Sequence, residues 1–300
     1  MRRIALVNQK GGVGKTTTTV NLGAALAEQG RRVVLVDLDP QANLSVHLGF
    51  EIEPGQGSTY SMLLGQDTFA SAQRPTSTPG LSVVPTNLDL SGAELELATQ
   101  LGRETLLRDA VEAWCVEHRE AHGEDPADYV FFDCPPSLGL LAINGLAASD
   151  EVFIAVQTEF FALRGLSKLV EVVELVQRRI HPELAITGII PCLFDSRLRL
   201  AREVLVEIRS YFPDKVFRRS IGINVKLAEA PSYGQSILAY APKSSGARDY
   251  RALAEEVIAQ EVAREKTAEE SAGDVSEEVR EKLVVPRSSP RETARAQPGE

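Results

Sequence analysis

Residues 8–17 read NQKGGVGKTT, and residue types at this spacing can hold a chain of phosphates. Gly11, Gly12 and Gly14, with Val13 between them, let the backbone approach an anion closely and take positive φ without a Cβ clash. Lys15 can reach the β- and γ-phosphates, and the Thr16 hydroxyl can ligate Mg²⁺. Thr16 and Thr17 open the helix that follows, so that its positive end faces the anion. The chain is therefore expected to bind ATP and Mg²⁺ over residues 11–17. One position breaks the common pattern. A G-x-x-x-x-G-K-[ST] loop has its first glycine six residues before the lysine; here that place is Gln9, with Lys10 beside it. A lysine there cannot easily fold back onto a phosphate that its own backbone wraps. It can reach phosphate held by a second subunit, as arginine fingers do in trans. The doubled lysine thus implies a dimer that shares its nucleotide, the alternative being a merely solvated side chain.

Three acids sit where such a site needs them. Asp133 closes an apolar run, a position from which a carboxylate can hold Mg²⁺ directly or through water. Asp37 and Asp39 flank Leu38 after another such run. One can serve the metal while the other orients a water for attack on the γ-phosphate. A single strand-end Asp would be read as a helix N-cap; three, with a phosphate loop, point to nucleotide hydrolysis.

The elements that must position these residues are legible as apolar runs of strand length. They cover residues 4–7, 32–37, 129–133, 151–156 and 185–190, separated by helix-length segments such as 16–29. Strands buried on both faces and alternating with helices make an α/β fold, a mostly parallel sheet with helices on both faces. Ligands then lie at the carboxyl ends of the strands, where the glycine loop, Asp37, Asp39 and Asp133 fall. Residues 51–82, rich in Gly, Pro, Ser and Thr, read as a surface excursion containing a short helix. The last core helix is expected at 247–263, closing an ATPase domain of residues 1–263. Residues 264–300, rich in Glu, Lys, Ser, Pro and Ala, read as a largely disordered tail.

Composition narrows the setting. A chain of 300 residues, 43% hydrophobic and 25% charged, has material for a large core. No apolar run approaches the roughly 18 residues of a membrane span, and the N-terminus is too short in apolar residues for a secretory signal. Cys115, Cys134 and Cys192 are far apart in sequence, which suits reduced thiols in the cytoplasm. The net charge of −10 conceals a basic stretch at residues 197–226, which holds Arg197, Arg199, Arg202, Arg209, Lys215, Arg218, Arg219 and Lys226. That asymmetry suits a polyanionic partner or, alternatively, a solvated helix face.

Taken together, KGGVGKTT, VDLDPQAN, FFDCPPSLG, VQTEFFALRGL, CLFDSR and INVKLAEAPSYGQSI resemble the deviant-Walker-A ATPases, specifically the ParA/Soj partition proteins, over about residues 2–263. The resemblance implies that Lys10 acts across an ATP-bound homodimer. It implies that Lys15 and Thr16 contact phosphate and Mg²⁺, that Asp39 positions the attacking water, and that Asp133 is the Walker B acid. It also implies non-specific binding of double-stranded DNA in the ATP state, through positions matching Arg197 and Lys226, and a ParB-like partner that stimulates hydrolysis. Such phosphate contacts would be salt-sensitive, and the protein would be cytoplasmic and nucleoid-associated.

The chain departs from the family pattern with Ile221-Gly222-Ile223-Asn224 in place of I-P-R-N, and with Pro191 where threonine is usual. These departures put the cargo in question, and a scaffold that positions a protein assembly is the alternative. The MinD-like reading requires a basic membrane helix, and the 275–283 segment has acidic neighbours instead. An iron–sulfur reading requires paired cysteines, and Cys134 is better taken as a small buried residue. His118 and His122 flank Glu120 in the wrong order for a zinc helix. Phe160, Phe161 and Trp114 read as core.

Overall fold

A computed structural model describes residues 1–282 apart from Pro54, with side chains through Arg264. Seven strands form one sheet: β1 (Arg2–Val7), β2 (Val33–Asp37), β3 (Arg74–Pro75), β4 (Leu81–Val84), β5 (Tyr129–Asp133), β6 (Glu151–Gln157) and β7 (Ala185–Cys192). Their order is β3-β4-β2-β5-β1-β6-β7. All neighbours are parallel except the two-residue edge strand β3, which runs against β4. This is the expected α/β architecture, extended by an edge that sequence reading missed.

Side chains alternate across the pleat, which divides the core in two. Val34, Val36, Val130, Phe132, Val152 and Ile154 share one apolar cluster with residues of the helices Leu106–His122, Leu140–Ala147 and Ala162–Arg179. Trp114 lies in that cluster, stacked on Phe69 at 4.4 Å between ring centroids. On the opposite face the helix α1 (Lys15–Glu28) lies close against β2. A Cβ added to Gly23 would stand 2.8 Å from Leu35 Cδ2. Register then sets the site: Asp37 of β2 pairs with Asp133 of β5, and Leu6 of β1 pairs with the same Asp133. The carboxyl ends of three central strands therefore stand side by side, with the glycine loop leaving β1 directly above them.

Residues 51–82 differ from expectation. They hold two short helices, Thr59–Leu63 and Phe69–Ala72, each with a capping box, together with β3 and the start of β4. The helix expected at 247–263 begins at Ser245 and runs to Lys282. Residues beyond 264 are mostly strong helix formers, which suffices to continue it. Residues 283–300, the remainder of the expected tail, lie outside the described residues. The chain divides into two units after Glu256, and every candidate site residue belongs to the first.

Candidate functional site

The glycine loop forms one wall of a cleft of about 490 Å³, bounded also by Asp39, Asn43, His47, Asn224, Leu227 and Tyr250. Gly12 and Gly14 adopt the left-handed conformation, with φ of 77° and 92°, which a side chain would strain. Gly11 does not adopt it, but a Cβ on Gly11 or Gly12 would meet nothing within 4 Å, so this backbone is bare. Gly14 is the N-cap of α1 and supplies no side-chain cap, so the first-turn amides are left for an anion. Asn8 sets the mouth of the loop. Its amide group donates to the Ala155 carbonyl of β6, and its Oδ1 accepts from the Lys10 N–H at 2.7 Å.

Asp133 gathers three donors from α1. Lys15 Nζ lies 2.9 Å from Oδ1, Thr16 Oγ1 donates to Oδ2 at 2.7 Å, and Thr19 Oγ1 donates to Oδ1 at 3.0 Å. Burial alone would lower the Lys15 pKa, but the attraction and hydrogen bond of Asp133 outweigh it, and the net shift is upward. The ammonium is therefore held charged. Thr19 escaped sequence reading; its signal is its place one turn beyond Lys15 and Thr16 on the same helix face.

Asp37 and Asp39 separate. Asp37 is fully buried and accepts from the Ser45 N–H at 2.9 Å, the Ser45 hydroxyl at 2.7 Å and the Asp39 N–H at 3.2 Å. Burial, and next the neighbouring Asp133, push its carboxyl up to about 7. Asp39 instead borders the cleft, and its Oδ1 accepts from the Gln41 N–H at 3.0 Å. Among the described residues, two other than glycine hold left-handed backbone, Ala42 (φ 52°) and Leu193 (φ 51°). Leu193 borders the cleft, and Ala42 stands between Gln41 and Asn43, which do. Strain of this kind gathers at functional sites, and no feature of residue type announces it.

The donors suit a hard divalent cation. Among the described residues no group of three His, Cys, Asp or Glu is placed to hold a metal alone. The Thr16 hydroxyl and Asp133 carboxylate offer oxygens beside the phosphate loop, the partial shell that Mg²⁺ completes with water and phosphate oxygens.

Of the remaining candidates, Lys10 lines the cleft, whereas Arg197 and Lys226 do not. Lys10 Nζ is 2.5 Å from Glu159 Oε2 and 3.3 Å from Gln157 Oε1, about half exposed. Arg197 is exposed and makes two hydrogen bonds to Asp195, at 2.9 and 2.7 Å, which hold the Asp195 carboxyl down at about 2. Lys226 pairs with Glu229 at 2.7 Å and lies 5.6 Å from the ring centre of Tyr240. It sits on the helix Val225–Glu229, whose Leu227 and Ala228 line the cleft. The Gly222 N–H donates to Asp249 at 3.1 Å, a bond that a proline at this position could not make. Ile223 is exposed.

Phe160 and Phe161, read as core, are 74% and 67% exposed in an edge-to-face pair. They precede the helix that begins at Ala162, whose buried side chains are Leu166, Leu169, Val173 and Val176. Cys134 is fully buried, and burial pushes its thiol up to about 12, as a packing residue requires. His118 and His122 face each other at 4.4 Å between ring centroids, and His118 Nδ1 lies 3.0 Å from the Glu124 carbonyl.

A mostly parallel sheet whose first strand feeds a bare glycine loop and a capless helix above a buried aspartate defines the P-loop class of nucleotide-binding proteins. The model of the AAA domain family matches residues 1–186. The chain is 46% identical over 256 residues to the sporulation initiation inhibitor protein Soj of Bacillus subtilis, covering 85% of this chain and 98% of Soj. It is 43% identical over 261 residues to the chromosome partitioning protein ParA of Caulobacter vibrioides, covering 87% and 95%. A crystal structure from Mycobacterium smegmatis, described as cobyrinic acid a,c-diamide synthase with bound ADP and magnesium, superposes with a TM-score of 0.72. It is 36% identical, with 86% of this chain and 94% of that one covered. The chain belongs to the Soj/ParA family of chromosome-partitioning proteins.

Proposed function

We propose that the chain is a partition ATPase that hydrolyses ATP to ADP and phosphate as a nucleotide-sandwich homodimer. The observation that carries this is the convergence of Lys15 and Thr16 on Asp133 in a cleft that Asp39 also faces. The amides of residues 11–17 and the Lys15 ammonium bind and orient the triphosphate. Mg²⁺, held from Thr16 and Asp133, withdraws charge from the phosphate oxygens when bound. Asp39 orients the attacking water, and Asp37 fixes the segment that carries Asp39. Lys10 leaves Glu159 to place its charge on the second subunit's phosphates. In the ATP state Arg197 and Lys226 meet phosphates of double-stranded DNA without reading its sequence, and a ParB-like partner stimulates turnover. The protein works in the cytoplasm, on the nucleoid. Among the described residues no helix is long and apolar enough to cross a membrane.

The test is binding of duplex DNA without nucleotide, with ADP and with ATP, across a salt series, with Asp39→Ala holding ATP unhydrolysed. Tight, salt-sensitive binding confined to ATP, and lost in Lys10→Ala, is the expected result. Dimerisation by ATP with no DNA binding in any state would remove DNA from the reading. A second reading, a scaffold that positions a protein assembly, rests on Ile223, exposed and apolar where the I-P-R-N pattern has arginine.

A further inference from the structure

We propose that His47 is the joint through which the Asp39 segment and the Lys226-bearing surface move together, so that the nucleotide state of the cleft governs that outer face. This rests on the function proposed above, but its core claim concerns coupling within one subunit.

The short helix Asn43–His47 is engaged on three sides. Toward the sheet, Ser45 is bound to Asp37, and its hydroxyl accepts from the Thr86 N–H at 2.9 Å. Toward the cleft stands Asn43, shortly after Asp39 and Gln41. His47, only 3% exposed and itself a wall of the cleft, reaches the third side with Nε2 3.2 Å from the Gln235 carbonyl oxygen. A carbonyl only accepts, so Nε2 carries the proton. Beside this bond two chain segments touch. Gly49 and Gly234 both have left-handed backbone, with φ of 79° and 65°, and a Cβ on Gly234 would come 3.2 Å from Gly49 Cα.

The far side of the joint is equally tied. The Ile237 N–H donates to Asn21 Oδ1 of α1 at 2.6 Å. Upstream, Leu227, Ala228 and Pro231 line the cleft, while Lys226 is held to Glu229, which also accepts from the Tyr240 hydroxyl at 2.7 Å. Asp39 and Lys226 are thus linked by two short segments, each anchored to the core and meeting at one half-buried hydrogen bond and one glycine contact. Tightly packed segments shift as units, so a displacement of residues 39–47 is passed to residues 226–240. No sequence pattern flagged His47, and the nucleotide chemistry does not use it.

The test compares wild type with His47→Leu, which fills the space without a donor, and His47→Gln, whose amide can donate to the same carbonyl. Amide hydrogen exchange of residues 236–241, which do not border the cleft, is measured with and without Mg²⁺ and a slowly hydrolysed ATP analogue. The nucleotide should alter exchange there in wild type and in His47→Gln, but not in His47→Leu. In parallel, the factor by which the analogue tightens duplex binding should fall at least about five-fold in His47→Leu. By linkage, the factor by which DNA tightens analogue binding should fall equally. Gly234→Ala, which forces the two segments apart, should behave like His47→Leu, and decides the matter should the latter not fold. An exchange response in both Gly234→Ala and His47→Leu equal to wild type would overturn the joint. A normal exchange response with no DNA binding at all would instead overturn the DNA reading and leave the joint standing.

Discussion

Asp37 and Asp39 are separated by one leucine and have unlike surroundings, so their substitutions should part. Asp37→Ala removes the acceptor for three donors at once; leaving them buried and unpaired costs roughly 3 kcal/mol, read as an early thermal transition. Asp39→Ala loses one hydrogen bond to Gln41, about 1 kcal/mol. It should fold normally and lose about 100-fold or more in ATP turnover. His47 supplies a pH test. Burial lowers its pKa from 6.5 to about 4, so the folded chain keeps the ring neutral where the unfolded chain takes up a proton. The contribution is whole above pH 6.5 and is lost as pH falls toward about 4, up to roughly 3 kcal/mol at about 1.4 kcal/mol per pH unit. Denaturant midpoints of wild type and His47→Gln across that range should differ in slope by this amount. At this scale the glycine loop, Lys15, Asp133 and Asp39 were legible, because phosphate chemistry demands particular residue types at fixed spacing. Thr19, His47 and the left-handed residues were not, because their roles come from tertiary placement.

Among the elements, strands β1, β2, β5, β6 and β7 could be read because burial leaves them near-continuous apolar runs. β4 was hidden by its four residues and its serine, and β3 by its two residues and proline. Phe160 and Phe161 misled because apolar character at a helix entrance does not say which way the entrance faces. The β6–β7 pair carries a sharper constraint. Its register shifts between Val152 and Phe153, where Gly188 lets Phe153 and Phe217 meet edge to face at 5.3 Å. A Cβ on Gly188 would stand 2.5 Å from Phe153 Cδ1 and 2.6 Å from Phe217 Cε2. Gly188→Ala should therefore destabilise by roughly 1–3 kcal/mol through overpacking, seen as a lowered thermal midpoint. DNA binding by the folded remainder should be unaltered.

For the whole molecule, the net charge of −10 opposes any polyanion at long range, so contact depends on local cations. Arg197 and Lys226 are each tied to an acid, which raises the weight of ionic strength. Affinity for duplex DNA should fall about 10-fold or more between 50 and 200 mM salt if several phosphates are engaged. A flat salt response would be incompatible with phosphate contact. The left-handed backbone at Ala42 and Leu193 has a consequence of another kind. Each such residue costs on the order of 1 kcal/mol, and both adjoin the cleft. Relieving the strain with glycine would loosen the same walls that aim Asp39 and border the nucleotide. Glycine there also adds comparable freedom to the unfolded chain, so substitution at these two positions should lower turnover while leaving the thermal midpoint nearly where it was.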